Sequence, residues 1–154
     1  MEELFSQKKI IVFTDGGARG NPGPAAIGVV IGGKKYGLTI GLATNNEAEY
    51  RAVIFALQKV KQLLGKKAAR RAEIELNTDS ELLYHQITGG YKILEPNLQR
   101  FFIEIWNLKH DFQRVSFQRI PREQNKEADR LVNAALDDGV GDKDKLTDAP
   151  GRLL

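Results

Sequence analysis

The sequence predicts an α/β protein on a five-stranded mixed sheet, three antiparallel strands followed by two parallel ones, with helices on both faces. Three observations carry this. Three strand-like segments come first, joined by short connections, and helical and strand-like segments alternate thereafter. The chain of 154 residues, 42% of them hydrophobic, has material for one core. Parallel neighbours need a crossover long enough to hold a helix, so a meander followed by alternation implies the mixed pattern.

Residues 10–14, IIVFT, form an apolar, β-branched run without alternation, the pattern of a strand covered on both faces. The run stops at Asp15 and passes into GGARGNPGP, which reads as a glycine-rich turn. Residues 26–31 and 36–42 flank Gly32, Gly33, Lys34 and Lys35 and read as a hairpin. Over residues 46–64 the apolar spacing becomes helical, with Ala52, Val53, Ala56, Leu57, Val60, Leu63 and Leu64 on one stripe and Gly65 as the stop. A basic link, KKAARR, follows. Residues 73–78 alternate as a strand, residues 80–88 form a short helix closed by Gly89 and Gly90, and Pro96 opens a longer helix over residues 96–112. Residues 114–120 make the last strand and residues 125–136 the last helix. Residues 1–137 are expected to form one domain and residues 138–154 a loosely ordered polar tail.

Composition removes several function classes. The absence of cysteine excludes disulfides, thiolate metal sites and a cysteine nucleophile. The N-terminal MEELFSQKK lacks a signal-peptide core and no later segment has the apolar length of a membrane span, so a cytoplasmic protein without membrane contact is expected; a monomer is expected as well. A net charge of +3 is compatible with nucleic acid but selects for it only weakly.

Four carboxylates stand where the local pattern does not ask for them. Asp15 ends a buried strand, where an Asp-Gly turn is the ordinary explanation. Glu49 falls near the centre of the apolar stripe of its helix, where an ion is costly, although a first-turn acid also complements the helix dipole. Asp79 follows the strand over residues 73–78, and it or Ser80 suits a helix N-cap. Asp129 lies in the first turn of the last helix, on the border of its apolar stripe. Each has an ordinary structural explanation, yet together they place two acids at carboxyl ends of central strands, where open α/β sheets gather ligands, and two beside them. Four converging carboxylates need cations, and all-oxygen ligation selects Mg²⁺ or Mn²⁺. Two such ions about 3.5 to 4 Å apart would support in-line phosphodiester hydrolysis.

The segments FTDGGARGNPGPAAIG, TNNEAEYRAVIFAL, LNTDSELL and QNKEADRLVNAA resemble, in order and spacing, the signature segments of type 1 ribonuclease H. The resemblance implies a ribonuclease H-like fold and endonucleolytic cleavage of the RNA strand of RNA/DNA hybrids with two Mg²⁺ ions, leaving 5′-phosphates. It makes residues 1–137 the catalytic domain and Asp15, Glu49, Asp79 and Asp129 the metal-binding catalytic acids, with Asp15 shared by both ions. It also implies that Gly16 and Gly17 bring backbone close to RNA, that Asn21, Asn45 and Asn46 read 2′-hydroxyls, and that Thr44 belongs to a pocket for a DNA-strand phosphate. The competing structural reading makes Asn45 or Asn46 the N-cap of the first helix.

The chain departs from the family pattern at three places. The loop RIPREQN lacks the histidine many members carry, leaving Arg122 to grip a phosphate without acting as a base. Glu81 stands where a glutamine is common, and a carboxylate there either accepts from a 2′-hydroxyl of the RNA or weakens binding by repulsion. Only residues 91–95 separate Gly90 from Pro96, so the basic handle of some members is absent, and hybrid affinity is expected either to be modest or to come from Lys34 and Lys35 or the cluster from residue 66 to 71. Trp106, beside Phe102 and Ile105, is expected to pack in the core. His85 and His110 are expected to be structural or solvated. Beside the hybrid nuclease stand a non-catalytic nucleic-acid-binding module and a nuclease that acts on double-stranded RNA or on DNA.

Overall fold

The computed structural model describes residues 8–139. Five strands, β1 (Lys8–Ala18), β2 (Gly23–Ile31), β3 (Lys34–Ala43), β4 (Ala72–Thr78) and β5 (Arg114–Arg119), form one sheet in the order β3-β2-β1-β4-β5. β1, β2 and β3 pair antiparallel, whereas β1–β4 and β4–β5 are parallel, as the sequence predicts. The helices are α1 (Asn45–Leu64), α2 (Lys66–Arg70), α3 (Glu81–Ile87), α4 (Pro96–Lys109) and α5 (Lys126–Asp138). The tail expectation for residues 138–154 falls, from residue 140 onward, outside the described residues. Among the described residues no helix is long and apolar enough to cross a membrane.

Helices cover both faces, and two glycines record how closely. A Cβ on Gly16 would lie 2.3 Å from the carbonyl carbon of Ala48 in α1. Asp15 pairs with Gly28, whose side therefore faces away from that of Gly16, and a Cβ on Gly28 would lie 2.2 Å from the carbonyl oxygen of Ala128 in α5. The core between sheet and α1 holds Val12, Val29, Ile74 and Leu76 against Val53, Leu57 and Val60. Leu63, placed on the same stripe by its spacing, is 46% exposed in the last turn of α1.

Several boundaries differ from expectation for identifiable reasons. β1 does not end at Asp15: it runs through Gly16 and Gly17 to Ala18, because β2 continues to pair with it as far as Ala18↔Ala25. Its pairing with β4 stops at Thr14↔Thr78, so β1 and β4 part there and Asp15 and Asp79 are the first residues beyond the last pair. This fork, rather than a turn at Asp15, positions the site. The hairpin turn is only Gly32-Gly33, with Lys34 and Lys35 already in β3 and a φ of 58° at Gly32 as a two-residue connection with glycine first requires. The KKAARR link folds into α2, anchored by the fully buried Ala69.

α4 stops at Lys109, three residues before the expected end; Phe112 is buried and keeps the apolar periodicity, but Gln113 N–H already donates to Ala72 O at the start of β5. The expectation for Trp106 is also corrected. It is 51% exposed, because the buried side of α4 is a narrow line through Leu98 and Ile105, and Lys109 Nζ lies 5.1 Å from its ring centre.

Candidate active site

Asp15 stands at the fork on β1 and is only 7% exposed. Asp79 follows the last residue of β4, Glu49 sits in the first turns of α1, and Asp129 in the first turn of α5. One carboxylate oxygen from each of Asp15, Glu49 and Asp79 lies within 4.8 Å of the others. Asp129 lines the same cleft and adds its charge to Asp15.

Local structure explains why these side chains are available. Ser80, not Asp79, caps α3: its Oγ accepts from Leu83 N–H at 3.1 Å. Asp79 is left free of the capping task. Gly16 permits α1 to pass backbone to backbone against β1, which brings Glu49 beside Asp15. Glu49 Oε1 is buried and has no hydrogen-bond partner among the described residues.

The electrostatics are those of a site built for cations. Asp15 is raised from the ordinary 3.8 to about 7, first by burial and then by the charges of Asp79 and Asp129, while the Gly16 N–H works in the opposite direction. Glu49 is held well above the usual carboxylate range, first by burial and then by Asp15 and Asp79. A divalent ion would displace these protons. The all-carboxylate donor set and the orphaned Glu49 oxygen fit a hard cation such as Mg²⁺ or Mn²⁺.

The expected substrate residues divide. Gly16, Gly17 and Asn45 line the acid cleft, and so does Arg122, carried on a one-turn 3₁₀ helix (Arg122–Gln124). Asn21 Oδ1 accepts from Asn45 N–H at 2.9 Å and Asn45 Oδ1 from Ala18 N–H at 2.8 Å, which ties the turn after β1 to the start of α1. The N-cap of α1 is Thr44, neither Asn45 nor Asn46. Its Oγ1 accepts from Glu47 N–H at 3.1 Å while Glu47 Oε1 accepts from Thr44 N–H at 2.9 Å, a reciprocal capping box. Glu47 is further held by Asn97 Nδ2 at 2.7 Å. Thr44, Asn46 and Asn21 do not themselves line the acid cleft. Glu81 lies outside it too, facing Arg119 at 3.7 Å and Tyr91 Oη at 3.4 Å.

Neither histidine enters the cleft. The His85 ring packs against Tyr84 and Tyr91, and His110 Nδ1 lies 2.9 Å from Trp106 O. Lys35 pairs with Glu127 at 3.2 Å, while Lys66, Lys67, Arg70 and Arg71 precede β4 at the end of the sheet opposite Asp79. Sequence reasoning missed two lining or supporting residues. Arg19 lines the cleft and pairs with Asp137 at 2.8 Å. Asn125, buried behind Asp79, donates to its Oδ2 at 2.8 Å. The only sequence signal for Asn125 was an asparagine at a helix start, which capping already explains.

A mixed sheet in this strand order, with carboxylates converging where β1 and β4 part, defines a ribonuclease H-like protein. A family described as reverse transcriptase-like matches residues 13–135. The ribonuclease HI of Halobacterium salinarum is 40% identical over 136 residues, covering 84% of this chain and 65% of that protein. A bifunctional protein of Mycobacterium tuberculosis is 36% identical over 84% of this chain, which spans only 36% of its length. Among solved structures, the complex of LC11-RNase H1 with an RNA/DNA hybrid has a TM-score of 0.80 at 44% identity, covering 85% of this chain and 99% of that one. The Halobacterium salinarum RNase H1 crystal structure has a TM-score of 0.77 at 39% identity, with coverage of 85% and 99%. The chain belongs to the type 1 ribonuclease H family.

Proposed function

We propose that residues 1–137 form a catalytic domain that cuts the RNA strand of RNA/DNA hybrids endonucleolytically, with two divalent ions, and leaves 5′-phosphate ends. The observation that carries this reading is the convergence of Asp15, Glu49 and Asp79 within 4.8 Å around a buried glutamate oxygen that has no partner in the described protein. A cluster so costly to hold without cations has no evident use in a purely nucleic-acid-binding module. The hybrid as substrate is supported by the LC11-RNase H1 complex, similar over nearly the whole of that chain.

In this reading Asp15, Glu49, Asp79 and Asp129 would hold Mg²⁺, with Mn²⁺ as a substitute. Bound ions would supply activation of water and charge stabilisation for in-line displacement at phosphorus. The protein's own groups do the rest. Gly16 and Gly17 present backbone at the cleft, and Asn21, Asn45 and Asn46 select the strand bearing 2′-hydroxyls. Thr44 contacts a phosphate of the DNA strand, and Glu81 accepts from a 2′-hydroxyl at the outer edge of the bound duplex.

Arg122 grips a phosphate at the rim. Arg122→Ala should lower kcat about 10-fold or more at saturating Mg²⁺, since a hydrogen bond to a charged group contributes roughly 1.5–3 kcal/mol. Unchanged single-turnover rates would remove Arg122 from the mechanism.

The decisive experiment incubates the protein with an end-labelled RNA/DNA hybrid, the matching RNA duplex and a DNA duplex, each with Mg²⁺, Mn²⁺ or chelator. Metal-dependent cutting of the hybrid alone is expected, with cutting of the RNA duplex marking a broader nuclease. Binding without cutting of any substrate in either metal would establish the binding module instead.

A further inference from the structure

We infer that Asn125 is a positioning residue for the acid cluster: it sets the orientation of Asp79 and locks the start of α5, and with it Asp129, to the fork between β1 and β4. The inference rests on the reading of the cluster as a divalent-cation site. Asn125 is 1% exposed. Its amide nitrogen spends both hydrogens on oxygen acceptors, Thr14 O at 2.9 Å and Asp79 Oδ2 at 2.8 Å. The Thr14 backbone carbonyl can only accept, so the amide has one workable orientation. Thr14 is the residue before Asp15, and the Asn125 carbonyl accepts from Asp129 N–H at 3.2 Å. One side chain and its own carbonyl therefore touch the segments bearing three of the four acids.

Two costs show that this arrangement is not merely convenient packing. Asn125 occupies the N-cap of α5, where an asparagine side chain ordinarily accepts a bond from the first turn, yet it makes no capping bond. Its Oδ1 is buried without a partner among the described residues. The helix start thus forgoes its side-chain cap and leaves Oδ1 without a partner among the described residues, while the amide N–H groups go to the site. Local rules broken together in this way mark a position set by function rather than by folding.

The chemistry follows. A neutral N–H donor fixes the rotation of the Asp79 carboxylate without adding charge, and a carboxylate has lone pairs enough to accept that bond and still ligate an ion. Removal of such a supporting bond typically weakens metal binding 10- to 100-fold.

The test measures Mn²⁺ binding calorimetrically in the parent, Asn125→Ala, Asn125→Ser and Gln86→Ala. Gln86 is a buried amide bonded to Tyr50 Oη and the Lys92 carbonyl and to none of the acids, and serves as the comparator for lost stability. Asn125→Ala should bind Mn²⁺ about 10- to 100-fold more weakly. Asn125→Ser, with one donor left, should fall between it and the parent. Gln86→Ala should lower the melting temperature without changing the affinity. Raised Mn²⁺ should restore much of the kcat of Asn125→Ala, with the KM for hybrid little changed. If both Asn125 variants bind Mn²⁺ as tightly as the parent, Asn125 is only a packing residue. Should Asn125→Ala fail to fold, Asn125→Ser and its metal affinity decide alone. A parent protein that binds no Mn²⁺ would overturn the cation-site reading and this inference with it.

Discussion

Asp15→Asn should abolish cleavage while making the metal-free protein more stable. The catalytic loss should be at least about 10²- to 10³-fold, the range seen when one preorganised charge-stabilising group is removed. The stability gain follows from the direction of the pKa shift. Asp15 rises from 3.8 to about 7 because it is buried among acids, so the folded protein holds that proton more tightly than the unfolded chain. Stability from this group is complete below about pH 4 and is lost as the pH rises towards and through 7. The interval corresponds to on the order of 4 kcal/mol at most, shared with its coupled neighbours. Metal-free parent protein should therefore melt at lower temperature at pH 8 than at pH 5, and Asp15→Asn should flatten that slope. Added Mg²⁺ should reverse the order at pH 8 by stabilising the parent more than the variant. Melting curves at the two pH values, with Mg²⁺ and with chelator, check all of this. A variant that cuts the hybrid at the parent rate would end the assignment of Asp15, and a metal-free variant no more stable than the parent at pH 8 would end the electrostatic account.

Gly16→Ala should be among the most destabilising single substitutions in the protein. The new Cβ would lie 2.3 Å from Ala48 C, 2.4 Å from Ala48 O and 2.6 Å from Glu49 N, all backbone atoms that cannot rotate away. Either α1 lifts from the sheet or β1 bends out of its ladder, at a cost of about 3 kcal/mol or more. The movement displaces Glu49 from Asp15, so Mn²⁺ affinity should fall as well. Gly33→Ala is the matched control, since nothing lies within 4 Å of its Cβ. Denaturant unfolding of the two variants checks the contrast; a Gly16→Ala protein within about 1 kcal/mol of the parent would show that α1 can yield.

Much of the site was legible because its acids break local rules. Glu49 on an apolar stripe and Asp15 at the end of an apolar run are anomalies that one-dimensional patterns expose. Residues that obey a local rule carry no such signal. Asn125 at a helix start looks like an ordinary cap, and only its neighbours from β1 and β4 reveal its bonds to Thr14 and Asp79. Asn45 and Asn46 read as equally good caps of the first helix, and only the reciprocal bonds of Thr44 with Glu47 show that Thr44 is the cap. Composition favours a turn at the glycines after Asp15, whereas pairing with β2 keeps Gly16 and Gly17 extended.

The sequence by itself determined the strands, the helices other than α2 and the mixed pattern of the sheet, and it singled out the four acids as candidates, because periodicity and misplaced charge are properties of neighbours along the chain. Tertiary structure alone decided that β1 outlasts its pairing with β4, that Trp106 faces outward, and that Asn125 joins Thr14 to Asp79. Each depends on which surfaces and hydrogen-bonding groups meet across distant segments, and no spacing along the chain encodes that meeting directly.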